Sequence, residues 1–144
     1  MAERTLVDQD VRVAYAQIFV ESGNDAEGTS LPASFAGQRN GLCGAVAAGQ
    51  LFLITGLHTG HVGFTVELHP HAPTVDESWE DIVEASFVPA TDSVALVEWG
   101  GERVCSLPLI AGETYRVRYS GNGLDIGDRT DTRLSDEPAA DRYL

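Results

Sequence analysis

The chain has 144 residues, 43% of them hydrophobic, enough to bury a real core as one domain over 1–144. Its 22 acidic and 9 basic residues give a formal net charge of −13, which disfavours direct nucleic-acid binding because phosphate contacts need clustered cations. All nine cations are arginine, so Schiff-base chemistry, a P-loop lysine and a catalytic lysine base are excluded.

No apolar run approaches the ~20 residues of a membrane helix. Residues 1–10 (MAERTLVDQD) contain no apolar signal core, so the expectation is a cytoplasmic protein. In that compartment Cys43 and Cys105 are expected as buried thiols and not as a disulfide.

In chain order, residues 11–20 (VRVAYAQIFV) alternate Val11, Val13, Tyr15, Gln17 and Phe19 against Arg12, Ala14, Ala16, Ile18 and Val20. The second face is polar at its start and apolar at its end, which predicts one long strand that changes partner sheet midway. Residues 21–41 form a polar loop, longer than connection alone requires. It carries Glu21, Asn24, Asp25 and Glu27, oxygen ligands of the type calcium uses, without EF-hand spacing. The small-residue stretch 42–48 (LCGAVAA) predicts a strand closely approached by another backbone.

Residues 50–71 (QLFLITGLHTGHVGFTVELHPH) read as a central hairpin. Leu51 to Ile54 form a run buried on both faces, Gly56 and Gly60 bracket the turn, and Val62, Phe64, Val66 and Leu68 alternate along the return strand. All four histidines lie here: His58 and His61 before the return strand, His69 and His71 after it. At ~3.3 Å per residue, His61 and His69 stand roughly 26 Å apart, whereas metal ligands lie within about 2.0–2.1 Å of the ion. The histidines can therefore form two separate pairs for a divalent metal, each needing outside ligands. Loop histidines in water are the blander account.

In 74–88, Trp79, Ile82, Val83 and Phe87 would line a short helix, but Ser86-Phe87-Val88 before Pro89 favours a strand from about 81 to 88. The clearest hairpin is 94–107 (VALVEWGGERVCSL), turning at Gly100-Gly101. Trp99 and Phe64 are expected core residues, each on an apolar strand beside a glycine-marked turn. Arg116 and Arg118 alternate with Tyr115, Val117 and Tyr119, an exposed strip expected to pair with Glu98 or Glu102 across strands. From about 125 the apolar residues thin out, and the segment reads as a solvated acidic tail. Asp125, Asp128 and Asp131 recur there every third residue, a set that calcium would accept together with the loop at 21–27.

The total is seven to eight short strands with little helix: an all-β fold, an antiparallel β-sandwich or partly open barrel. G-x-S-x-G, H-E-x-x-H and G-x-x-x-x-G-K are absent, and both cysteines lie in apolar stretches where thiols are inert. Glu67, Glu84 and Glu98 are explained as outward faces of strands and not as a glycosidase pair. The sequence therefore reads as a non-enzymatic, cofactor-free binding module, an acidic inhibitor-like or regulatory protein that recognises a basic partner. Its candidate partner-binding residues are Glu21, Asp25, Glu27, Asp125, Asp128 and Asp131. The alternative is a metal-dependent β-barrel protein using His58, His61, His69 and His71.

Overall fold

Strands whose inward positions are Val, Ile, Leu and Phe must bury that face against a second layer. In the computed structural model, which describes residues 4–23, 31–134 and 138–144, that layer is a second sheet. The elements are β1 (Arg4–Val13), β2 (Gln17–Ser22), α1 (Leu31–Ser34), β3 (Cys43–Gly44), β4 (Gln50–Ile54), β5 (Gly60–Leu68), β6 (Asp81–Phe87), β7 (Val94–Glu98), β8 (Arg103–Leu107), β9 (Tyr115–Asn122), α2 (Leu124–Thr130) and β10 (Arg142–Tyr143). One sheet runs β1-β5-β10-β9-β6 and the other β3-β4-β2-β7-β8. The sheets stack as an open sandwich, with β1 over β7 and β8 along one side and β6 over β3 along the other. Among the described residues no helix is long and apolar enough to cross a membrane.

Between the sheets, Val11, Val62 and Phe64 meet Ile18, Leu53, Val94 and Leu96 in one core. Several expectations hold. Residue Phe64 is 4% exposed, β6 is a strand, and β7 and β8 form the antiparallel hairpin, with a bulge between Leu96 and Val97. Both cysteines are free thiols, although Cys105 is only half-buried.

Other expectations give way. The strand predicted over 11–20 is broken by a turn at Tyr15 and Ala16, whose φ angles are 55° and 57°; the change of sheet is made by that turn. Residues 50–71 are not a hairpin. Strand β4 pairs with β2 and β3, and β5 pairs with β1 and β10, so residues 55–59 are a corner between sheets. Two apolar runs joined by a glycine-marked turn look alike in either case, and the choice lies with distant partner strands. Trp99 is 50% exposed, because it sits where the β7–β8 connection leaves the sheet.

The segment from 125 is not a solvated tail. It contains α2 and then β10, which lies parallel to β5 and antiparallel to β9 in the middle of its sheet. Asp141 and Tyr143 are 0% and 1% exposed. Asp141 Oδ2 accepts the Leu57 N–H at 2.9 Å and the Tyr143 hydroxyl at 2.6 Å, and the same hydroxyl accepts the Gly56 N–H at 2.6 Å. The Tyr119 ring stacks on Tyr143 with centroids 5.6 Å apart, and its hydroxyl donates to the Ile54 carbonyl at 2.9 Å. Burial raises both phenol pKa values, and donation to Asp141 raises that of Tyr143 further. Helix α2 fits over this knot only because Gly127 has no side chain: a Cβ there would stand 2.6 Å from Asp141 Cγ.

Equilibrium denaturation should therefore rank three variants. Phe64→Ala and Tyr143→Ala should each cost about 3–5 kcal/mol, the range for deleting a packed aromatic. Trp99→Ala should cost about 1 kcal/mol or less, as expected at an exposed site. A Tyr143→Ala protein as stable as Trp99→Ala would remove β10 from the core.

Candidate functional site

At one end of the sandwich three crossings converge: the β1–β2 turn, the 55–59 corner and the β7–β8 connection. The first two are laced together, with the Ala16 N–H donating to the His58 carbonyl at 2.8 Å and the Thr55 N–H to the Ala16 carbonyl at 3.0 Å. The chain after α2 closes the corner from outside, where the Asp131 carbonyl accepts the N–H groups of His58 and Thr59 at 2.8 and 3.0 Å. Among the described residues, the non-glycine residues with positive φ are Tyr15, Ala16 and Asp131, and all three lie at this end. Each such conformation costs on the order of 1–2 kcal/mol and persists only where surrounding bonds hold it.

The turn projects Tyr15 outward. Its ring lies 4.6 Å from that of Trp99, tilted by 43°, and meets His58 edge-on at 5.1 Å. Both rings remain open to solvent, Tyr15 at 54% and Trp99 at 50% exposure. Below Trp99, Glu98 continues the inward face of Val94 and Leu96 at the open side of the sandwich. Partial burial raises its pKa above the usual carboxylate value, and the negative charge of Glu102 adds to this; Arg12 and His61 oppose the rise without cancelling it.

The sequence-predicted residues are distributed as follows. Asp25 and Glu27 lie outside the described residues. Glu21 stands on β2 opposite Gln50, accepts its side-chain amide at 3.3 Å, and has its pKa raised by burial. Asp125, Asp128 and Asp131 are exposed on α2 and just beyond it, at the end where Gln17 faces Ile54. Glu21 is four residues further along β2, about 13 Å from that end.

The four histidines are placed individually. His58 Nδ1 shares a hydrogen bond with the Thr59 hydroxyl at 2.8 Å, His61 stands opposite Arg12, His69 Nε2 lies 3.1 Å from Glu67, and His71 is exposed. Among the described residues no group of three or more His, Cys, Asp or Glu side chains is placed to hold a metal ion. Burial pushes the Cys43 thiol up to about 11, the direction that makes a cysteine inert.

The arginine strip pairs differently from expectation. Arg116 and Arg118 both reach Glu84, at 3.2 and 3.1 Å, because β9 lies beside β6 and far from the β7–β8 turn that carries Glu98 and Glu102. The Arg142 guanidinium lies over the Trp79 ring at 5.0 Å. Among the described residues no such cation covers Trp99. The Tyr15–Trp99 pair escaped the sequence reading because both residues fit an alternating strand. The usable signal was the Gly100-Gly101 step directly after Trp99, which places that ring at a rim.

Compared by sequence, the chain matches no family model and no curated protein. Compared by structure, it is similar to an open β-sandwich found in two solved proteins. One is described as crocagin biosynthetic gene J, with 14% identity, a TM-score of 0.58, and coverage of 99% of this chain and 96% of that one. The other is ComJ of Bacillus subtilis, described as an inhibitor of the DNA-degrading activity of NucA, with 17% identity, a TM-score of 0.58, and coverage of 99% and 95%. At these identities the likeness is one of fold, and it runs end to end.

Folded Glu98 holds its proton more tightly than the unfolded chain does, so its ionisation subtracts stability as pH rises through its raised pKa. Glu98→Gln should therefore raise the melting temperature at pH 7 and change it little at pH 4, where both states are largely protonated at this residue. Thermal melts across that range check the sign; a lower melting temperature at pH 7 would mean that attraction to Arg12 and His61 outweighs burial.

Proposed function

We propose that this chain is a non-enzymatic protein-binding module, an inhibitor or regulatory subunit whose partner is a basic protein. The observation that carries the reading is uncompensated negative charge on a rigid sandwich. The net charge is −13, and the cations present do little to offset it locally: Arg116 and Arg118 converge on the single carboxylate of Glu84. Asp8, Asp10, Asp125, Asp128 and Asp131 are all exposed. Such a surface draws a positively charged protein into encounter and sets the association rate more than the final affinity. ComJ, a nuclease inhibitor of the same fold, supports the same reading.

Of the acidic residues proposed for contact, Asp125, Asp128 and Asp131 are open to a partner, whereas Glu21 is engaged with Gln50. The test is affinity capture from lysate of the source cells, followed by binding kinetics with the captured protein. The partner should be basic, its association rate should fall steeply with salt, and its dissociation rate should change little. Neutralising Asp125, Asp128 and Asp131 to Asn should slow association several-fold. A neutral or acidic partner, or association indifferent to ionic strength, would overturn the proposal.

A further inference from the structure

We infer that the Tyr15–Trp99 ring pair, with Glu98 and Glu102 beside it, is the anchor site for an arginine side chain of the basic partner; the inference rests on the reading of a basic partner given above. Two large aromatic rings stand half in water, 4.6 Å apart, at the end of the sandwich where the crossings meet. A simple turn would relax with glycine at φ near +55°, yet Tyr15 and Ala16 occupy those positions. The backbone strain holds a tyrosine ring outward against Trp99. Tyrosine, tryptophan and arginine are the residue types that dominate interface hot spots.

Charge complementarity names the occupant. Glu98 and Glu102 sit together in the β7–β8 connection that carries Trp99, where the Glu98 N–H donates to the Glu102 carbonyl at 2.9 Å. A guanidinium stacked on the indole face carries a planar N–H fork suited to an exposed carboxylate such as that of Glu102, which a lysine ammonium matches less well. The chain already contains the same pairing in satisfied form, with Arg142 over Trp79. Among the described residues no cation lies over the Trp99 ring in the same way.

The chain has two tryptophans, so Trp79→Phe leaves Trp99 as the only indole reporter. In that background, a short arginine–glycine peptide and its lysine counterpart are titrated at low salt, by fluorescence and by amide NMR. The Trp99 emission should change, amide shifts should centre on 14–16 and 98–102, and the arginine peptide should bind several-fold more tightly. In the unmodified chain, followed by NMR, Trp99→Ala should weaken binding roughly tenfold or more. Trp99→Phe should retain most of the affinity, and Asp125→Asn should change it less than about twofold. Undiminished binding by Trp99→Ala, or shifts centred on 125–131, would overturn the anchor and leave the basic-partner reading standing. Dimerisation of the chain that Trp99→Ala abolishes would also overturn it, giving the rings to a second copy. Failure of both peptides to bind at low salt would remove the basic-partner reading and the anchor together.

Discussion

One buried carboxyl group ties the molecule together. Asp141 lies fully inside the protein, where an uncompensated polar group costs several kcal/mol, and its Oδ2 is satisfied by the Leu57 N–H and the Tyr143 hydroxyl. Those bonds fix the corner at 56–57, where the chain passes from one sheet to the other. They also seat β10 between β5 and β9, and they set how closely α2 can approach through Gly127. The position of α2 in turn places the Asp131 carbonyl, which holds the N–H groups of His58 and Thr59. His58 then supports the turn that presents Tyr15. The exposed aromatic pair is thus the outer end of a chain of hydrogen bonds and close contacts that starts at a residue wholly shielded from solvent.

The two faces of the molecule treat charge differently. On the outer side of the sheet containing β6 and β9, arginines are matched at short range to Glu84 and to the Pro73 carbonyl. Exposed ion pairs of this kind contribute little stability, but they engage Arg116 and Arg118 on this face. Glu98 and Glu102 lie in the other sheet, at the β7–β8 connection that carries Trp99. An acidic excess spread evenly would only aid solubility; one gathered beside aromatic surface also selects what binds there.

Strands with sustained alternation were legible in the sequence. β5 and β6 declare their inward faces over seven to nine residues, and Gly100-Gly101 marks the β7–β8 turn. Pairing between distant strands was not legible. Nothing local distinguishes a hairpin at 50–71 from a corner, or tells Arg116 and Arg118 that Glu84 is their neighbour and not Glu98. β10 is two residues long, too short to show any period, and some of the bonds that hold it go to groups more than eighty positions earlier. The acidic character of the candidate site was visible from composition. Its aromatic component was hidden, because Trp99 and Tyr15 each obey a pattern that normally leads inward.

The placement of β10 bears on the order of folding. Within the sheet β1-β5-β10-β9-β6, no ladder joins β5 directly to β9. Before residues 142–143 arrive, the sheet is two separate antiparallel pairs, β1 with β5 and β6 with β9, each with an unsatisfied inner edge. Closing it requires Arg142 and Tyr143 to pair with Gly63 and Phe64, 79 positions earlier, and non-local pairing of this kind slows folding relative to local contacts. During that interval the waiting edges of β5 and β9 can recruit strands from other chains. A sheet completed by its shortest strand thus leaves two edges open to foreign strands until those two residues dock.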